Sequence, residues 1–161
     1  MRISARVDYA VRAMAELAGT GAAPTKAEHL SAVQDIPLRF LLSILRELRQ
    51  HRLVHSVRGP EGGYFLARPA DEITLADVIR AVDGSLANVH DLSLGGLSYP
   101  GAAAALPDVW RAVRVSLRQV LEHVTLADLA QGQLPPVVRE RAQEYIDDVR
   151  YPPKPAAGGR H

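Results

Sequence analysis

Residues 36–66 read IPLRFLLSILRELRQHRLVHSVRGPEGGYFL. Leu41, Ile44, Leu45 and Leu48 recur at three- and four-residue spacing, which is one face of an amphipathic helix. The opposite side carries Arg39, Ser43, Arg46 and Gln50. Pro37 suits the start of this helix, where a backbone N–H would lack a partner in any case. Beyond it, Leu53 to Val57 reads as a strand and Tyr64 to Leu66 as its partner. Between them Arg58-Gly59-Pro60-Glu61-Gly62-Gly63 is a turn whose glycines allow positive φ. Arg58 is then held at the tip of a two-stranded ribbon. A helix fits the major groove of DNA, and a lone guanidinium on a rigid tip suits a narrow minor groove, where the negative potential is deepest. A phosphate-binding glycine loop does not fit, because no Lys-Ser/Thr follows and no helix begins there.

Upstream, Ile3, Val7, Ala10, Val11, Met14, Leu17 and Ala18 share one helical face, expected to be buried and to stop at Gly19 and Gly21. Arg2 and Arg6 lie near its start, where cations do not suit the helix dipole. They read equally as solvated surface or as phosphate contacts. Thr25-Lys26-Ala27-Glu28 has the pattern of a capping box. The short helix after it turns Ala27, Leu30 and Val33 inward. Gln34-Asp35-Ile36-Pro37 is a tight link, so two helices joined by about four residues complete a helix-turn-helix pattern.

The chain has 161 residues and 47% hydrophobic content, enough for one small domain plus an appendage. No apolar run approaches a membrane helix, and the charged start MRISARVDYAVRAM is no signal peptide, so the expected location is cytoplasmic. There is no cysteine, which excludes disulfides, thiolate zinc sites, a cysteine nucleophile and cysteine-ligated iron–sulfur clusters. The net charge of +1 hides a gradient. Residues 1–70 hold ten Lys and Arg against six Asp and Glu, and residues 71–161 hold nine against twelve. A basic N-terminal half suits a phosphate-binding surface.

After the ribbon, Thr74 to Asp77 opens a short helix with Val78, Ile79 and Val82 inward and Asp83-Gly84 at its end. Its TLAD recurs at Thr125 to Asp128, and both copies read as Thr caps with Asp in the first turn. Residues 85–105 are low in charge and read as a long loop. Then Leu106, Trp110, Val113, Leu117, Val120 and Val124 step by four and three, a heptad seam widened by Val109 and Leu121. Pro107 to His123 would span about 26 Å. A stripe this wide predicts a dimer interface, and a dimer supplies the two-fold symmetry of operator reading. Gly132 and Pro135-Pro136 separate a last helix, Val137 to Arg150, with Val138, Ala142, Tyr145 and Val149 placed to lie against the rest. Residues 151–161 are expected to be disordered.

The stretches MRISARVDYAVRAMAELA, IPLRFLLSILRELRQHRLVHSVRGPEGGYFLARP and EITLADVIRAVDG resemble the Rrf2 family of bacterial winged-helix transcription factors, over about the first 84 residues. The resemblance implies a homodimer on a palindromic operator, with the helix after Pro37 in the major groove and Arg58 in the minor groove. Phosphates would be held by Thr25, Lys26 and residues near the first helix. The DNA-binding set is then Thr25, Lys26, Leu38, Arg39, Leu42, Ser43, Arg46, Arg58, Gly59 and Pro60. Two departures stand out. Many members have Glu-Gln where this chain has Leu42-Ser43, so the operator does not transfer from them. Sensing members place three cysteines in the loop that here reads SLANVHDLSLGGLSYPGAAAAL. Asp8 lies where some members offer a carboxylate to a cluster, and without thiolates it reads as a surface or capping residue. Cysteine-free members resemble regulators of cysteine metabolism and sulfate assimilation, which respond to a metabolite or to cysteine synthase. ALPDVWRAVR with the SLR and TLADLA segments after it looks like an actinobacterial subgroup of that kind.

The expected architecture is therefore mainly α with a small β-hairpin. A winged helix-turn-helix DNA-binding domain (1–84) leads through a sensing or connecting loop (85–105) to dimerisation helices (106–150) and a tail (151–161). The function expected is a homodimeric transcriptional repressor with no cofactor. His51 and His55 have a metal spacing only if both are helical, and His55 falls in the expected strand. His90-Asp91 could hold an anion or metal, with loop surface the plainer reading. No nucleophile–base or paired-carboxylate pattern suggests an enzyme. The competing class is a winged helix that binds protein. Arginines both on the helix and at the turn argue against it.

Overall fold

The computed structural model describes residues 3–84 and 96–148. Helix α1 (Ala5–Thr20) starts at Ser4, whose hydroxyl accepts the Val7 N–H at 3.2 Å. It buries Val7, Ala10, Ala13, Met14 and Leu17. Ile3 lies ahead of the helix and is 77% exposed, so it leaves the face that its spacing suggested. Gly19 stays inside the helix, and the chain departs at Gly21, with φ 69° and ψ −140°.

Helix α2 (Ala27–Gln34) buries Ala27 and Leu30, whereas Val33 is exposed. The capping box expected at Thr25 does not form. Lys26 is the N-cap and makes no side-chain capping bond. The reason is that Thr25 belongs to the ribbon: its N–H and C=O both pair with Tyr64 at 2.8 Å. Asp35 turns the chain in the left-handed region, the Ser31 hydroxyl donates to Ile36 O at 2.6 Å, and Ile36 is buried. Helix α3 (Leu38–Gln50) buries Leu41, Ile44, Leu45 and Leu48, as their spacing predicts. Strands β1 (Val54–Val57) and β2 (Gly63–Leu66) form an antiparallel hairpin with Val54 opposite Leu66 and Val57 opposite Gly63.

Helices α4 (Leu75–Asp83) and α6 (Leu126–Gln131) both open with full capping boxes, Thr74 with Asp77 and Thr125 with Asp128. The two TLAD copies also meet. Thr74 and Thr125 form an antiparallel bridge in which Leu75 N–H donates to Val124 O and Leu126 N–H to Ile73 O, each at 2.9 Å. This bridge brings α6 back onto α1, and Leu126 joins the core made by α1, α3 and α4. The core therefore draws on Leu126 as well as on residues before Gly84.

Helix α5 (Leu106–Leu121) runs between the two TLAD segments in sequence and buries only Pro107. A short 3-10 turn at Gly101–Ala103 leads into it. Helix α7 (Pro136–Asp147) buries no residue, and Ala142 and Tyr145, expected to pack, are exposed. Val149, His90, Asp91 and the expected tail lie outside the described residues. Among the described residues no helix is long and apolar enough to cross a membrane.

Candidate nucleic-acid interface

The outer face of α3 exposes Arg39, Leu42, Arg46 and Gln50, with Ser43 half-buried among them. Leu38, expected on this face, packs against the core instead. Phe40 was missed by the sequence reading. It is 52% exposed, and the Arg39 guanidinium carbon lies 5.3 Å from its ring centroid. Its apolar character hid it.

The ribbon presents Arg58, Gly59, Pro60 and Glu61 to solvent. Gly62 N–H closes the turn on Gly59 O at 3.0 Å, and Gly59 has φ 108°. Gly62 and Gly63 serve close approach rather than a turn angle. A Cβ at Gly62 would sit 2.2 Å from Val57 O, and one at Gly63 would sit 2.6 Å from the Thr25 carbonyl. The wing is tied to α3 through Arg49, which donates to the Ser56 hydroxyl at 3.2 Å, and to the α1–α2 connection through Thr25. Thr25 itself is buried, with its hydroxyl donating to Thr20 Oγ1 at 3.1 Å. Its side chain faces inward. Lys26 is exposed.

Of the two readings of Arg6, the structure favours neither free solvation nor DNA. Its guanidinium pairs with Glu47 and donates to Val82 O at 3.3 Å, tying α1 to α3 and α4. The bond to Glu47 raises the Arg6 pKa further above its ordinary value. Arg2 lies outside the described residues. Asp8 pairs with Arg12 at 3.0 Å, one turn along α1. His55 lies in β1, 5.6 Å from the Phe65 ring, while His51 follows α3. Among the described residues no group of three or more His, Cys, Asp or Glu is arranged to hold a metal.

On α5, Val109, Val113, Leu117, Val120 and Leu121 line an open apolar groove together with Ala112 and Ser116. Leu106 and Trp110 are half-buried, and the indole N–H of Trp110 has no acceptor among the described residues. Val124 leaves the expected seam. The helix ends at Leu121, and Val124 is buried at the TLAD bridge. At that end Glu122 accepts from Arg80 of α4 and from Arg118 at 3.0 Å. Those bonds, Arg80's foremost, hold its carboxyl below the usual range.

A helix-turn-helix with an exposed arginine-bearing second helix, braced against a two-stranded wing, defines a winged-helix DNA-binding regulator. Within that class the chain belongs to the Rrf2 family, whose model, described as an iron-dependent transcriptional regulator, matches residues 3–132. It is 56% identical over 147 residues to Rv1287 of Mycobacterium tuberculosis, named as an HTH-type transcriptional regulator, covering 90% of this chain and 91% of that one. It is 37% identical over 135 residues to the HTH-type transcriptional regulator IscR of Sodalis glossinidius, covering 83% and 81%. The structure of CymR, the global cysteine regulator of B. subtilis, superposes with a TM-score of 0.71 at 29% identity, covering 82% of this chain and 98% of that one. These are transcriptional regulators, not enzymes. Iron held by thiolates does not fit this chain. The sequence has no cysteine, and Asp8, the carboxylate the resemblance pointed to, is engaged by Arg12.

Proposed function

We propose that the protein is a homodimeric repressor that reads a palindromic operator in the cytoplasm, with α3 in the major groove and Arg58 in the adjacent minor groove. The observation that carries this is the pairing of an unburied arginine face on α3 with a wing tip braced from two sides, through Arg49 and Thr25. Arg39, Leu42, Ser43 and Arg46 face bases, with Leu42 suited to a thymine methyl group and not to a hydrogen bond. Lys26, Gly59 and Pro60 lie toward the backbone. The apolar groove of α5 is the dimer seam, formed by Val113, Leu117 and Val120 with Leu106 and Trp110 at its near end. Two copies then present two α3 helices to two half-sites.

The lack of cysteine and the likeness to CymR support a regulon of cysteine and sulfur metabolism, controlled by a metabolite or by a partner enzyme such as cysteine synthase. The test is to incubate the purified protein with sheared genomic DNA from its own organism and sequence what it retains. A palindrome enriched upstream of sulfur-metabolism genes is expected. No enriched palindrome would overturn operator reading, and a palindrome confined to unrelated genes would overturn the regulon.

A further inference from the structure

Arg39 stands where a cation is electrostatically unwelcome. It occupies the first turn of α3, which carries no acidic residue to offset the positive end of the helix dipole. No carboxylate partners it among the described residues. Its guanidinium lies instead over the face of Phe40, 5.3 Å from the ring centroid. That ring is itself 52% exposed and lines a cleft between α1 and α3 with Ala5, Arg6, Tyr9, Ser43 and Ile44. The arginine in the first turn costs folding stability against the helix dipole, whereas the exposed ring beside it is ordinary surface unless it serves that arginine. Together they make a preset guanidinium, aimed from the helix end that enters DNA most deeply in helix-turn-helix proteins.

We propose that Phe40 is a positioning residue that holds the Arg39 guanidinium by cation–π stacking, so that Arg39 recognises one guanine in each half-site through O6 and N7. The inference rests on the reading of α3 as the base-contacting helix. A free arginine side chain must give up much rotamer freedom on docking, and the stacked fork has already given up part of it. Phe40 touches no base in this account and acts only through Arg39.

The experiment uses the full chain and a fluorescein-labelled duplex selected by the wild-type protein from randomised DNA, read by polarisation. Each guanine in turn is replaced by 7-deazaguanine, which removes the N7 acceptor. Arg39→Ala, Phe40→Leu, Phe40→Tyr and the Arg39→Ala/Phe40→Leu double variant are compared, with thermal melting confirming the fold. One guanine per half-site is expected to cost wild type about tenfold on replacement and to cost Arg39→Ala nothing. Phe40→Leu should lose most of that sensitivity and about five- to fifteenfold in affinity over the two half-sites, while Phe40→Tyr keeps both. The double variant should bind as Arg39→Ala does. A Phe40→Leu protein that keeps the full sensitivity, or whose loss multiplies with that of Arg39→Ala, overturns the positioning role alone. If no guanine depends on Arg39, the base-contacting reading of α3 at this residue fails, and the inference falls with it.

Discussion

Gly63→Ala should loosen the wing without touching its Arg58 tip. An added Cβ would lie 2.6 Å from the Thr25 carbonyl carbon and oxygen, and 2.8 Å from its nitrogen. The obstruction is backbone, so no side-chain rotamer relieves it. Reaching ordinary contact near 3.4 Å requires the β2 edge and residue 25 to part by about 0.8 Å. The two Thr25–Tyr64 hydrogen bonds, both 2.8 Å, then stretch to about 3.6 Å, beyond useful range. At about 1 kcal/mol each they account for about 2 kcal/mol. The usual gain from replacing glycine by alanine does not apply, because Gly63 has φ 159°, which alanine adopts only with strain. The net loss is therefore at least about 2 kcal/mol, a shift that urea titration followed by circular dichroism resolves. In the proposed dimer both wings lose their brace, so operator affinity should fall at least about tenfold. An unfolding midpoint equal to wild type, with affinity unchanged, would refute the idea that Thr25 fixes the wing.

Leu117→Glu places a carboxylate in the α5 groove and should convert the dimer to monomer in sedimentation velocity, with helical content retained. A dimer of unchanged stability would sink the seam. Arg58→Ala should weaken operator binding and lower the steepness of log affinity against log salt by about two for a dimer, since each arginine releases about one counterion. Equal slopes would remove Arg58 from the phosphate and groove surface. Gly19→Ala should stabilise by about 0.5–1 kcal/mol, because Gly19 lies within α1 and nothing stands within 4 Å of its Cβ position. Destabilisation measured in urea would mean that the position is crowded.

Wherever a feature depended on neighbours in sequence, the residues announced it. Leu41, Ile44, Leu45 and Leu48 fixed the buried face of α3 because a helix repeats every 3.6 residues whatever surrounds it. Both TLAD caps formed because a Thr and an Asp three residues on satisfy each other's backbone locally. The β-hairpin followed from two short strand-forming runs around a glycine-rich turn. The same logic failed at Thr25. Its capping pattern was locally complete, yet Tyr64, 39 residues away, took its backbone into the ribbon. Val33 and Phe40 show a related limit, since hydrophobic character marks burial only when another element arrives to cover it.

The sequence by itself determined that this chain carries a helix-turn-helix with an arginine-tipped ribbon and cannot hold a thiolate-ligated metal. Periodicity, turn chemistry and the absence of cysteine are properties of the covalent chain. Only the tertiary structure decided that the two TLAD segments meet, so that Val124 is buried beside their bridge and α6 packs on α1. Only it showed that Arg6 is committed to Glu47, and that Arg39 leans on Phe40. Each of these depends on which distant surface reaches a residue first. That competition is settled by packing, not by spacing along the chain.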